Sequence, residues 1–195
     1  MAPMHAFGVA NTLAHPGMKW LFVGTNIPYF FAAALVFTGS PLPDAFIEFV
    51  QPVCALSGFF GCQILLTGAI STYWHGAQCQ LQLPPGLRWL YGYTEEHGFR
   101  MQSVAWLKYI FVADIACASV TVLLGMGCFG ALRTLSWLAF PILTFVFGAL
   151  AKRQHAYGAY VILHGLWHLL SALAIPAIVL DDKLPPWFTV LTPSR

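Results

Sequence analysis

The sequence predicts an all-α integral membrane protein, a helical bundle of about five transmembrane helices in a single domain over residues 1–195. Of these residues 58% are hydrophobic and only 8% are charged, whereas about a quarter of a soluble domain is charged. Apolar runs of about 20 residues, the length that crosses a bilayer, recur along the chain and are separated by polar turns. The chain is therefore predicted to be a multi-pass membrane protein.

Five apolar runs define the predicted spans: residues 18–37, 46–75, 104–126, 132–150 and 156–180. Asn26 and Pro28 lie inside the first run, so one turn there is expected to be kinked. The second run is longer than a span needs, which predicts a tilted helix. It ends at Tyr73, Trp74 and His75, and aromatic residues in this position mark a membrane–water boundary.

One long connection, residues 76–103, separates the second and third spans and is predicted to be a surface loop. The third span begins near Lys108 and carries Asp114, the only acidic residue well inside a span. The fourth span carries no residue that points to chemistry. The fifth carries His164 and His168, which are four residues apart and share one helix face.

The charge of the chain bears on its partners and its orientation. A net charge of +2 is too small to indicate a nucleic-acid partner, so membrane lipids are the expected surroundings. Six basic residues lie on the side of the N-terminus and three on the other side, which places the N-terminus on the cytoplasmic or equivalent side. The six are Lys19, Arg88, Arg100, Lys108, Lys152 and Arg153, and the three are Arg133, Lys183 and Arg195.

Polar side chains from three spans are expected at similar depths near the N-terminal side of the membrane. His75 ends the second span there, and Ser71 lies one turn deeper on the same face. Asp114 lies about 9 Å below Lys108 at 1.5 Å per residue. By the same helical rise, His164 and His168 lie about 14–20 Å below His155, so the three histidines, Asp114 and Ser71 are expected within a layer roughly 10 Å thick.

The three histidines of this layer provide nitrogen atoms that can bind a metal ion. Three neutral imidazoles with an open fourth position are typical of a catalytic zinc. Asp114 could hydrogen-bond a ligand histidine or a metal-bound water, and Ser71 could donate to an oxyanion. The alternative is that the histidines pack as ordinary core residues, and that Asp114 and Ser71 serve only as interhelical hydrogen-bond or packing partners.

Two short motifs resemble the superfamily of membrane hydrolases that includes the alkaline ceramidases and the adiponectin receptors. Residues 71–75, Ser-Thr-Tyr-Trp-His, look like its Ser-Thr-x-Phe/Tyr-His element. Residues 164–168, His-Gly-Leu-Trp-His, look like its His-x-Ile/Leu-Trp-His element. With an Asp in the intervening span, the resemblance rests on about a dozen residues in three spans.

The resemblance implies a Zn²⁺ ion held by His75, His164 and His168, with Ser71 and Asp114 as the catalytic residues. It also implies a zinc-dependent hydrolase that cleaves a lipid amide with zinc-activated water, as ceramidases do. The family has seven spans, whereas five are counted here, so the chain would be a shortened member. Losing two spans preserves the direction of the last helix and so the geometry of the site.

Two other functions are compatible with the same residues. One is a non-enzymatic accessory subunit of a larger membrane complex, which would bind partner membrane subunits and keep zinc for structure. The other is haem binding, with His75 facing one of the histidines of the fifth span as axial ligands.

Overall fold

The computed structural model describes Leu13 and residues 16–38, 47–79 and 104–180. All regular structure in these ranges is helical, which confirms the predicted all-α bundle. The helices are α1 (Pro16–Gly24), α2 (Ile27–Thr38), α3 (Ile47–Gln78), α4 (Val104–Phe129), α5 (Ala131–Arg153) and α6 (Tyr157–Leu180).

Four helical stretches are long and apolar enough to cross a membrane: Pro16–Phe37, Lys108–Phe129, Ala131–Arg153 and Tyr157–Val179. They support a multi-pass membrane protein. The helix α3, with 32 residues, is also long enough to cross, and it carries four buried polar side chains, those of Thr67, Ser71, His75 and Gln78. The fifth span thus remains a prediction that rests on the length of α3.

The first span is interrupted where a kink was expected. Thr25 and Asn26 separate α1 from α2, and their side chains donate hydrogen bonds to backbone carbonyls near the end of α1. The Thr25 hydroxyl donates to the carbonyl of Phe22 at 2.6 Å, and the Asn26 amide donates to that of Val23 at 3.1 Å. Pro28 falls in the first turn of α2, where its missing N–H costs no hydrogen bond.

The helix α3 continues to Gln78, beyond the predicted end of the second span at His75. The predicted loop 76–103 therefore begins too early, and the part of it from residue 80 onward lies outside the described residues. Burial explains the difference, because Ala77, Gln78 and Cys79 are fully buried and are not the solvated residues that a surface loop would contain.

The helix α6 lies at the centre of the bundle, and α4 lies at its edge. The α6 helix packs along α5 and α2, while α4 packs on α3 and α5 and barely contacts α6. Half of the most apolar stretch of α6 is buried, compared with 11% for α4. Polar residues on α6 are thus held between other helices, and a gap is left between α4 and α6.

Close packing of the first span on α3 depends on Gly68. A Cβ atom at Gly68 would lie 2.9 Å from the Cβ of Tyr29, which is part of the rigid base of that side chain. We therefore expect Gly68→Ala to force the helices apart and to destabilise the protein by about 1–3 kcal/mol. Thermal unfolding in detergent measures this. Gly127→Ala is the control, because no atom of another described segment lies within 4 Å of the added methyl group, and an equal loss in both variants would contradict the prediction.

Candidate metal centre

Three buried histidines converge between α3 and α6. The Nε2 atom of His75 lies 3.2 Å from Nε2 of His164 and 3.0 Å from Nε2 of His168. One ligand atom from each ring lies within 4.8 Å of the others. The sequence placed these residues at one depth, and the structure brings their ring nitrogens together.

The directions of the helices explain the meeting. The last turns of α3 lie beside the first turns of α6, where Gln78 contacts Tyr160 and His75 contacts His164. The spacing of His164 and His168 directs both rings from one face of α6 toward the single ring of His75. The edge-to-face ring contacts among the three, with centroids 4.7–4.9 Å apart, keep the nitrogens inward.

Gln78 defines the tautomer of His75. The Nδ1–H group of His75 donates to Oε1 of Gln78 at 2.9 Å, which leaves a lone pair on Nε2. The Gln78 amide in turn donates to the Tyr160 hydroxyl at 3.3 Å. A partner on the second ring nitrogen is what orients metal-ligating histidines, so His75 is arranged as a ligand would be.

Two of the three separations between the ring nitrogens are close to those of a tetrahedral metal site, and the third pair, His164 and His168, lies within 4.8 Å. Two imidazole nitrogens bound to zinc at 2.0–2.1 Å with tetrahedral angles lie about 3.3 Å apart, close to the observed 3.0 and 3.2 Å. A single N–H···N hydrogen bond would satisfy one pair of nitrogens and leave the third ring unpaired in a buried site. A cation between the rings satisfies all three, so these residues can hold a metal ion.

Buried aromatic rings cover one side of the centre. Phe22 of α1 packs edge-on against the ring of His75, with centroids 4.8 Å apart. Tyr160 packs against the ring of His164 at 5.0 Å. Both rings are buried, so they keep water off this side and limit rotation of the histidines.

Ser71 and Asp114 share a cavity with two of the histidines. This cavity, of about 180 Å³, lies between α3, α4 and α6 and is lined by Ser71, Asp114, His164 and His168 among other residues. The carboxyl group of Asp114 interacts with the Ser71 side chain, and the buried Ser71 hydroxyl has no other hydrogen-bond partner among the residues that the structure describes. Four of the five residues singled out in the sequence therefore line one cavity, and the fifth, His75, contacts two of them.

The cavity opens on the outer surface of the bundle. Its lining includes Ile115 and Ser119 of α4 and Phe145 of α5, and these residues are exposed on the face that a bilayer would cover. A smaller apolar cavity of about 40 Å³ adjoins it and shares Thr67 and Tyr29 with it. A molecule dissolved in the membrane could therefore reach the polar end of the cavity from the side.

The sequence did not single out Gln78, Tyr160 or Tyr29. Gln78 was assigned to the loop, although its position three residues after His75 on a continued helix could have indicated a partner. Tyr29 is buried, and its ring packs edge-on against His168 with centroids 5.8 Å apart. Its hydroxyl pairs with the Ser171 hydroxyl at 2.5 Å, so it anchors the first span to α6.

The geometry argues against haem. Axial histidines lie on opposite faces of a porphyrin, with the iron between their nitrogens. With His75 only 3.0–3.2 Å from the other two Nε2 atoms, the described residues leave no space for a porphyrin plane between them.

Comparisons of the chain with protein-family models, with curated proteins and with solved structures gave no match in any of the three.

Removing the partner of His75 should weaken the metal site without removing a ligand. We expect Gln78→Leu to lower zinc affinity about 10–100-fold, since outer hydrogen bonds orient ligand histidines. Competition with a chromophoric chelator measures this affinity. Gln63→Leu removes a similar amide between α3 and α4 but outside the centre, and should leave the affinity unchanged. Equal affinities in the parent and Gln78→Leu would contradict the role given to Gln78.

Proposed function

We propose that the chain is a zinc-dependent integral membrane hydrolase that acts on a lipid amide. The observation that carries this proposal is the meeting of His75, His164 and His168 beside a cavity that also contains Ser71 and Asp114. A structural zinc site needs four closed ligands, whereas three imidazoles leave one position for water or substrate.

The bound ion would supply Lewis-acid chemistry, polarising a substrate carbonyl and lowering the pKa of a coordinated water to about 7. His75, His164 and His168 would hold this ion as neutral imidazoles, and Gln78 keeps His75 in the tautomer that a ligand needs. The proposed site is thus a tripod of three imidazoles, two of which, His164 and His168, also line the cavity.

Asp114 and Ser71 provide the proton chemistry on the other wall of the cavity. The Asp114 carboxylate accepts a proton from the attacking water and returns it to the nitrogen of the leaving amine, a role that acid–base residues perform within hydrogen-bond reach. The Ser71 hydroxyl, which apart from Asp114 has no hydrogen-bond partner among the described residues, donates to the oxygen of the carbonyl as negative charge develops on it.

Three features support a lipid as the substrate. The site lies among membrane spans, its cavity opens on the lipid-facing surface between α4 and α5, and much of the lining is apolar, including Ile115, Val122 and Ile142. The choice of an amide rests on the resemblance of residues 71–75 and 164–168 to the ceramidase superfamily.

A product assay on purified protein tests the proposal. The chain, loaded with zinc in detergent or nanodiscs, is incubated with N-acyl lipids of the ceramide type, and free fatty acid is measured by mass spectrometry. We expect release of fatty acid that Asp114→Asn lowers at least about 10²-fold. Matched ester lipids show whether the amide is preferred. Zinc binding without release from any N-acyl lipid would contradict an enzymatic role and favour an accessory subunit that keeps a structural zinc.

A further inference from the structure

The ring of His168 has a buried nitrogen for which the structure gives no partner. Its Nδ1 atom has no hydrogen bond among the described residues, and the residue is 3% exposed. When Nε2 serves as a metal ligand, Nδ1 carries the proton and must donate it. A buried donor without an acceptor costs about 1–3 kcal/mol, so an acceptor is expected nearby.

Asn26 carries a matching unpaired acceptor. Its amide nitrogen is occupied by the carbonyl of Val23, but its Oδ1 atom is buried without a partner among the described residues, and its side chain is fully buried. It lies at the break between α1 and α2, where a polar side chain can point into the bundle.

The register of the helices places Asn26 at the depth of His168. On α6, Thr25 lies against Gly165, where a Cβ would be 3.3 Å from the Thr25 methyl group, and Tyr29 lies against His168. Asn26 lies between these two contacts along the first span. Its depth is therefore that of the turn of α6 from Gly165 to His168.

The register on α3 brings a third buried polar group to the same level. Phe22 contacts His75, and Tyr29 lies against Gly68, so in this antiparallel pair Asn26 lies opposite Ser71. The Ser71 oxygen is likewise buried and, apart from the interaction of this side chain with the Asp114 carboxyl group, has no hydrogen-bond partner within the described part of the chain. A buried water commonly joins about three such groups.

We propose that Asn26 is a positioning residue for His168, its Oδ1 accepting the Nδ1–H proton of the ring through one buried water that Ser71 also contacts. The water accepts from His168 and donates to Asn26 and to the oxygen of Ser71. The Ser71 hydroxyl proton then points into the cavity. This proposal rests on the proposed metal-binding function and extends it from the ligands to the residue that orients one of them.

Zinc affinity of the full chain in detergent, measured by chelator competition, tests the proposal. Asn26→Leu should weaken zinc binding about 10–100-fold, as loss of an outer hydrogen-bond partner does. Asn26→Asp keeps the acceptor and should bind zinc at least as tightly as the parent. Thr134→Val removes another buried, unpaired hydroxyl, on α5, and should bind zinc as the parent does. If Asn26→Leu fails to fold, Asn26→Ala makes the same comparison.

Thermal unfolding of the metal-free proteins separates positioning from simple packing. Positioning predicts that Asn26→Leu and Asn26→Asp differ in zinc affinity whatever their metal-free stability. Equal affinity in the parent, Asn26→Leu and Asn26→Asp would overturn the proposal. A parent protein that binds no zinc would instead contradict the proposed function itself. The zinc content of the parent is therefore measured before the variants are compared.

Discussion

His168→Ala should leave the purified protein without zinc and without hydrolytic activity. Only two ligand nitrogens remain, and two imidazoles cannot hold a catalytic zinc site of the three-histidine type. We expect the metal content to fall from about one zinc per chain to background, and the release of fatty acid to fall by at least about 10³-fold, because the effect of the metal on water and on the carbonyl is lost. Elemental analysis and the lipid-amide assay measure the two losses.

His155→Ala is the matched control for this experiment. His155 is exposed in the turn between α5 and α6, where its ring contacts Tyr157, and it lies outside the centre. It should keep full zinc content and activity. Zinc retained at one equivalent in His168→Ala would show that the metal is bound elsewhere.

Asp114→Asn should separate metal binding from catalysis. The amide keeps the size of the carboxylate but cannot take up a proton, so the turnover number should fall about 10²–10⁴-fold, the usual contribution of a general acid–base group. Zinc content should stay near one per chain because Asp114 does not belong to the group of three ligand atoms. Single-turnover assays with matched zinc loading measure the effect.

Ser119→Ala is the control for Asp114→Asn. Ser119 lines the same cavity, but it lies on the exposed side of α4. Its activity should remain within about threefold of the parent, as is usual for exposed polar positions. Turnover in Asp114→Asn equal to that of the parent would remove Asp114 from the mechanism and leave it as a polar lining residue.

The composition and the apolar runs were sufficient to predict the helical bundle, and the parity of the spans was sufficient to predict the meeting of His75 with His164 and His168. The bundle follows from the length of a helix that crosses a bilayer. The meeting of the histidines follows from the direction of successive spans and from the spacing of residues on one helix face. Ser71 and Asp114 were found in the same way, from depth and chain direction.

The partners of the ligands could not be predicted from such patterns. Gln78 lies past the last apolar residue of its span, and its role depends on α3 remaining helical beneath Tyr160 and Phe22, which is a property of tertiary packing. The contacts of Tyr29 and Asn26 depend on the break after Gly24 and on the register of three helices. Those features follow from side-chain packing between segments far apart in the sequence.

The most direct test of the central claim is zinc-edge X-ray absorption of the purified chain together with its zinc stoichiometry. We expect about one zinc per chain, with three histidine nitrogens at about 2.0–2.1 Å and one further light-atom ligand. This signal should be lost in the His164→Ala/His168→Ala protein. A chain that stays free of metal after incubation with zinc at neutral pH, or a zinc with sulfur ligands at about 2.3 Å, would contradict it.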